Sequence, residues 1–229
     1  MKHRKPSTRL VPRAGVGFGV AAVAGLVVTA TTTPAGASPG GDRDMGGVAI
    51  AVDMARSHAD RAHLNQFDES FEIHTYGPSV AVAANNRATA EAVGCSSSNP
   101  CRSVALSYQI VTAAGSRARL VNGVNLSRAE AVHCPGCQTY AAAYQFVVAT
   151  PRAFSLSGEA RGRLAALDRQ AEALRESGLP ISQIAREADR LAQAVKAVLD
   201  HEVARAPRAA RSAGPLDFAP TVTMRRHVR

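Results

Sequence analysis

The sequence predicts an α+β fold, in which antiparallel β-hairpin repeats form a meander and a C-terminal antiparallel helical hairpin follows. Three observations support this prediction. Two segments of the chain repeat each other, and their arms alternate between larger and smaller side chains. After Pro151 the apolar spacing changes from two to three or four residues. Without the predicted signal peptide, about 190 of the 229 residues remain, which allows one domain, or one domain with an appendage.

Residues 1–37 have the pattern of a secretory signal peptide. Five basic residues and no acid precede an apolar run at 14–30. Ala35-Gly36-Ala37 is a small-residue cleavage motif, so cleavage is expected after Ala37. The run is short and glycine-rich for a membrane anchor. The sequence therefore predicts a secreted or cell-envelope protein, with a flexible lead-in at 38–47.

Export changes what the charge of the chain implies. Lys and Arg number 27 and Asp and Glu number 18, which gives a net charge of +9. Five basic residues leave with the signal, so the mature chain has 22 basic and 18 acidic residues and a net charge of +4. No basic patch is interleaved with aromatic residues, as single-strand binders require. We expect no nucleic-acid partner, and contact with a membrane only through the signal before cleavage.

Two arms joined by a cysteine-bracketed gap form the repeated unit. AEAVGC at 90–95 reappears as AEAVHC at 129–134, and CRSVALSYQIV at 101–111 reappears as CQTYAAAYQFV at 137–147. Alternating arms with a short gap between them predict β-hairpins.

A third copy is suggested upstream. VAIAVDMARS at 48–57 aligns without gaps on VAVAANNRAT at 80–89, and SFEIHTY at 70–76 would be its returning arm. Hairpins in series predict an antiparallel β-hairpin repeat domain over 48–150.

Each returning arm has one face of larger apolar residues and one of small or polar residues. The small face could pack against a helix or a second sheet, or it could face water. Gln109 and Gln145 occupy equivalent points on this face. They are a candidate peptide-binding face, and the alternative is hydrogen bonding between polar neighbours on adjacent strands.

Two amphipathic segments predict the helical hairpin over 155–204. Ser157 is placed to cap the first helix, and Gly178 with Pro180 ends it. The residues at 205–229 are rich in Ala, Pro and Arg without periodicity, which predicts a disordered basic tail. The apolar stripes of the two helices are Ala160, Leu164, Leu167, Ala171 and Leu174, and Ile184, Ala188, Leu191, Val195 and Val198.

Four cysteines in an exported chain predict disulfide bonds, and they are Cys95, Cys101, Cys134 and Cys137. The C-P-G-C segment favours a type II turn, which brings its ends near disulfide distance. Local pairs would stabilise the fold by roughly 2 kcal/mol each, and pairing Cys95 with Cys134 by roughly 4 kcal/mol. Energy therefore leaves cross-unit pairing open, while the repeat favours equivalent local pairs. A redox pair and a metal site are the alternatives, although only one pair has the C-x-x-C spacing.

The sequence contains no motif that points to catalysis. An H-E-x-x-H pattern that begins at His201 fails at Arg205. We therefore predict no enzymatic activity, no catalytic residue, no bound metal and no cofactor.

HCPGCQTYAAAYQFVVATP at 133–151 is followed by the helical segment RGRLAALDRQAEALRESGLP at 161–180. With these motifs, residues 80–204 resemble the extracytoplasmic C-terminal region of actinobacterial peptide zinc metalloprotease membrane proteins. The family's membrane-embedded H-E-x-x-H part has no counterpart in this sequence, so the resemblance implies the exported module and not catalysis. The matching positions are Cys134, Cys137, Thr139, Ala141, Ala143, Gln145 and Val147.

These observations together predict an exported non-catalytic module that binds a protein or peptide outside the cell, with its partner in the cell envelope. The alternative is a thiol-redox or metal-binding envelope protein that uses the four cysteines.

Overall fold

The structure is a computed structural model that describes residues 48–78, 81–115, 121–206 and 218–229. The predicted signal peptide at 1–37, its cleavage site at Ala37 and the lead-in at 38–47 lie outside the described residues. The elements in chain order are β1 (Val48–Ala59), β2 (Asn65–Pro78), β3 (Ala81–Val93), β4 (Arg102–Ala114), β5 (Val121–Val132), β6 (Gln138–Thr150), α1 (Gly158–Ala173), α2 (Ile181–Arg205) and β7 (Thr221–Val228).

The strands form two sheets, and the chain passes from one sheet to the other after each of the first five strands. Sheet A has the order β1-β3-β5, and sheet B has the order β2-β4-β6-β7. All pairs are parallel except β6 with β7, which is antiparallel. Two successive strands therefore make one coil of a parallel β-solenoid, and the described residues form three stacked coils.

The predicted antiparallel hairpin meander is wrong, because the two arms of a unit do not pair with each other. Each arm pairs with its counterpart in the next coil: Ala90 lies opposite Ala129, and Tyr108 opposite Tyr144. The upstream alignment is wrong by one residue, since Val48 pairs with Ala81 and not with residue 80. Alternation of side chains predicts a strand correctly, but it does not identify the strand's partner.

The reason for this pairing lies in the small side chains between the sheets. Ala105 and Ala141 of sheet B and Ala55 and Ala88 of sheet A pack in one cluster, and none of the four is more than 1% exposed. In a hairpin both arms would share one sheet and leave their small faces without a partner. Two stacked sheets bury small residues against small residues at close range.

The larger residues of sheet B point away from sheet A and are covered by the helices. Phe71, Tyr108 and Tyr144 stack along this face in register, with ring centroids 5.5 Å and 5.0 Å apart. They belong to the main core, which includes Leu164 of α1 and Leu191 of α2. Three layers result, namely sheet A, sheet B and the helix pair.

The two helices begin and end close to the predicted bounds of 155–204. The Ser157 hydroxyl accepts a hydrogen bond from the Ala160 N–H at 3.0 Å, as the capping prediction requires. All residues of the predicted stripes are buried except Val198, which is partly buried. No helix among the described residues is both long and apolar enough to cross a membrane.

The tail prediction is wrong for 221–228, which form strand β7, while 207–217 lie outside the described residues. Val222 and Met224 of this strand pack against the main core. The intervening Arg225 and His227 reach towards sheet A. The segment therefore does alternate with a period of two, but its arginines and histidine conceal the pattern.

Side chains from sheet B cap backbone groups on both edge strands of sheet A. On β5, Arg225 Nη1 donates to the Gly123 carbonyl at 2.7 Å, and the Ser127 N–H donates to His227 Nδ1 at 2.9 Å. On β1, the Tyr76 hydroxyl donates to the Ile50 carbonyl at 2.7 Å, and Asp68 accepts from the N–H of residue 56 at 2.6 Å. Capped edges are less able to pair with another chain.

The Gly123→Ala variant should lower the free energy of unfolding by about 1–3 kcal/mol, the usual cost of overpacking. A Cβ at Gly123 would lie 2.6 Å from both Arg225 Nη1 and Gln145 Oε1, so the cap and a buried amide would have to move. Urea denaturation measures the change. In the control Gly162→Ala in α1, a Cβ meets nothing within 4 Å. That variant should gain about 0.5–1 kcal/mol, because alanine favours a helix over glycine. Similar changes in both variants would contradict the close approach at Gly123.

Candidate functional site

Gln109 and Gln145 lie between the two sheets and are 0% exposed. Gln145 Nε2 donates to Gln109 Oε1 at 2.8 Å, and Gln109 Nε2 donates to Asp53 Oδ2 at 2.7 Å. Their face is internal because sheet A covers it, so it is not open to a peptide. The two glutamines therefore form hydrogen bonds with polar neighbours, which is the alternative to a peptide-binding face. Asp53, Gln109 and Gln145, which we call the polar column, link all three coils.

His74 and Asp53 form the first-coil end of this column. His74 Nε2 lies 2.9 Å from Asp53 Oδ2, and the histidine side chain is 26% exposed. The hydrogen bond to Asp53 is the main cause that raises the pKa of His74 above its ordinary value, and burial opposes it. Protonated His74 therefore binds the carboxylate more strongly than the neutral ring does.

A second set of polar groups joins the sheets one layer along the strands. Asn86 is fully buried, and its Nδ2 donates to Asn125 Oδ1 at 3.0 Å. The Ser107 hydroxyl donates to Asn86 Oδ1 at 2.5 Å. These bonds and those of the two glutamines satisfy most of the polar atoms between the sheets, but the buried Gln145 Oε1 has no hydrogen-bond partner among the described residues.

The cysteines form two local disulfide bonds, Cys95–Cys101 and Cys134–Cys137, with Cα–Cα distances of 5.8 Å and 5.5 Å. In the C-P-G-C turn the Cys137 N–H donates to the Cys134 carbonyl at 3.2 Å, and Gly136 has a φ of 78°. A type II turn suits a hairpin poorly. Here it joins strands of two different sheets, so the mismatch does not arise.

The sequence analysis missed the outer face of sheet A. On β1 and β5 the large apolar side chains point outwards while the small ones point into the molecule. We call the five most exposed of them the apolar patch. They are Ile50 (58% exposed), Val52 (61%), Met54 (55%), Val124 (39%) and Leu126 (45%).

Basic residues lie within and beside the apolar patch. Arg87 of β3 stands between Met54 and Leu126 in the sheet register. The next outward row along the strands contains Arg56 and Arg128. Arg87 and its neighbour Asn85 therefore separate the apolar residues of β1 from those of β5, and Arg56 and Arg128 border the face along the strands.

The row beyond these arginines is acidic. Glu130 accepts from Arg128 at 2.6 Å, and Glu91 lies 3.2 Å from His58 Nδ1. A shallow depression lies where the apolar and charged rows meet. Its lining residues are Met54, Arg56, Thr89, Ala90, Glu91, Arg128 and Glu130.

No family model matches the chain, and comparisons with curated proteins and with solved structures find no match. One sequence signal could have revealed the outer face. In β1 the large residues Ile50, Val52 and Met54 alternate with Ala51, Asp53 and Ala55. Once small residues are known to fill the interior, this alternation places the large residues outside.

The His74→Gln variant should lose stability mainly at low pH. Because the folded-state pKa of His74 is raised, its contribution is complete below the ordinary histidine pKa and is lost as pH rises through the folded value. The free energy of unfolding of the wild-type protein should exceed that of the variant by about 1–2 kcal/mol near pH 6 and by clearly less near pH 9. Urea denaturation across this range measures the difference.

The control for this prediction is His58→Gln. His58 and Glu91 form an exposed pair, with side-chain exposures of 47% and 33%. Removal of this exposed pair should change the free energy of unfolding by less than about 0.5 kcal/mol. The stability difference between the wild type and His74→Gln should shrink as pH rises. A difference that stays constant or grows would contradict a pKa of His74 raised by Asp53.

Proposed function

We propose that the chain is an exported, non-catalytic module that binds a protein partner outside the cell through the outer face of sheet A. The apolar patch is the observation that carries this proposal, since three of its residues are more than half exposed. Ile50, Val52 and Met54 form an unbroken apolar row along β1, and exposed apolar patches rimmed by polar residues mark interaction sites. The helices cover the equivalent face of sheet B, and none of the described elements packs on that of sheet A.

The charges around the apolar patch favour a partner that presents acidic side chains beside apolar ones. Arg56 and Arg87 are exposed and lie next to Met54 and Leu126. Arginine is enriched at protein interfaces, and complementary charge guides the partner to the surface. An extended acidic and apolar segment would place its carboxylates over the arginine row and its apolar side chains on the patch.

The parallel pairing makes this face rigid before a partner arrives. β3 pairs with β1 over 12 positions and with β5 over another 12, without a register shift in either ladder. On the inner side of sheet A the polar column links the three coils, and the disulfide bonds cross-link the turns at one end of the strands. A preformed surface loses little conformational freedom on binding, which favours affinity.

Two further observations support a site of action outside the cell. Residues 1–37 have the pattern of a secretory signal, and both disulfide bonds are of the kind that persists in oxidising compartments. The resemblance of 80–204 to the extracytoplasmic region of membrane metalloproteases directs the search for the partner to the cell envelope.

Site-specific photo-crosslinking tests the proposal in the native host. A benzophenone amino acid at Val52 should give one discrete adduct with an envelope protein, while the same probe at Ile73 should give none. Ile73 is 37% exposed but belongs to β2 of sheet B, so it is a matched apolar control. The purified partner should then bind the Val52→Asp variant at least about tenfold more weakly and the Ile73→Asp variant with unchanged affinity.

Other results would overturn the proposal. An adduct between two copies of this chain would make the apolar patch a self-association surface. Equal adducts at both positions, or equal affinities of both variants for the captured protein, would show that the outer face of sheet A is not the binding surface.

A further inference from the structure

We propose that the four cysteines form a redox-gated metal site. In the oxidised protein they are two disulfide bonds, and in the reduced protein they bind one zinc-like divalent ion as a tetrathiolate. This inference is independent of the outer face of sheet A. The four cysteines lie at one end of the strands, where coils two and three turn from sheet A to sheet B.

The positions of the sulfur atoms fit a four-coordinate site. All four Sγ atoms lie within 4.8 Å of one another. In a tetrahedral zinc site the Zn–S distance of about 2.3 Å places neighbouring sulfur atoms about 3.8 Å apart. Side-chain rotation alone can bring the four atoms around a common centre, once the S–S bonds are broken.

Backbone hydrogen bonds between the coils keep the cysteines together without the help of the disulfide bonds. The Gly94 N–H donates to the Val132 carbonyl at 3.0 Å, next to Cys95 and Cys134. The Gln138 N–H donates to the Cys101 carbonyl at 2.9 Å, next to Cys137. Reduction of the disulfide bonds therefore leaves the two turns stacked in the same register.

The surroundings of the sulfur atoms favour thiolate ligands. The Cys101 N–H donates to Cys137 Sγ at 3.0 Å, and a hydrogen bond to the charged form stabilises a thiolate. Cys95, Cys101 and Cys134 are at most 9% exposed, and this burial by itself opposes a charged thiolate, so the charge of the bound ion has to offset it. Arg61 Nε donates to the Gly94 carbonyl, which places a positive charge beside the segment that holds Cys95.

The redox step is balanced by an external dithiol. Two dithiol molecules transfer four electrons and four protons to the two disulfide bonds, giving four thiols and two cyclic disulfides. The divalent ion then displaces four protons and leaves a site with a net charge of −2. An oxidant that accepts four electrons restores both disulfide bonds and releases the ion.

The test uses the full chain, reduced with a phosphine under anaerobic conditions and freed of reductant. Addition of Co²⁺ should give the intense visible bands of a tetrahedral thiolate site, saturating at one ion per chain, and Zn²⁺ should abolish them. The oxidised protein should bind neither ion. The Cys95→Ser, Cys101→Ser double variant keeps the C-P-G-C pair alone. Its affinity for Zn²⁺ should fall by more than about 100-fold, beyond the loss that changes around a metal site usually cause.

Three results would overturn the proposal. They are less than one ion bound per reduced chain, a six-coordinate Co²⁺ spectrum, and equal affinity for Zn²⁺ in the double variant. Far-UV circular dichroism shows whether the reduced chain unfolds. If it unfolds and does not refold when Zn²⁺ is added, the proposed site is also excluded. The Val52→Asp variant should bind Zn²⁺ as the wild type does, so this test and the partner test fail separately.

Discussion

The close approach of two sheets through small side chains is the constraint on which the rest of the structure depends. Ala55 and Ala88 of sheet A meet Ala105 and Ala141 of sheet B, and each is almost fully buried. Where alanines line the gap the sheets approach closely, and most of the bulky apolar side chains of β1 and of sheet B point outwards instead. On sheet B the helices cover them. On sheet A they form the apolar patch, which is therefore a direct consequence of how the interior is filled.

The narrow interior also explains the polar column. A glutamine can lie between the sheets only if its amide finds partners there, because an unpaired buried amide costs about 1–3 kcal/mol. Gln109 and Gln145 find partners in each other, in Asp53 and in backbone carbonyls, although Gln145 Oε1 is left without one among the described residues. A shift of one residue would move either glutamine to the opposite face of sheet B, among the apolar side chains under the helices. The column thus adds a specific penalty to the hydrophobic preference for one register. Its two ends approach charged groups, His74 in the first coil and Arg225 beyond the third.

The sequence predicts the helices, the strands other than β7 and the local cysteine pairs, because each depends on residues close together in the chain. Ser157 and the apolar stripes needed no information from elsewhere. Strand pairing did, since an alternating arm is equally compatible with a hairpin or with a stacked coil. Two clues favoured the coil: the type II turn at C-P-G-C, which suits a hairpin poorly, and the small face of each returning arm. The upstream copy was misaligned by one residue because alanine- and valine-rich segments score similarly in neighbouring registers. The alternation in β1 marks the outer face of sheet A only once small residues are known to fill the space between the sheets, and that depends on how the strands pair.

The capped edges decide which kind of surface is left for a partner. A solenoid normally offers the backbone of its last strand, and a peptide can bind there as an added strand whatever its side chains. Here Arg225 and His227 already bond to the backbone of β5, and Asp68 and Tyr76 bond to that of β1. These bonds occupy two backbone groups on each edge strand, which disfavours strand addition there and leaves the outer face as the surface proposed for a partner. Recognition by a face depends on the pattern of side chains, so in the proposed function specificity would lie in the apolar patch and its arginines.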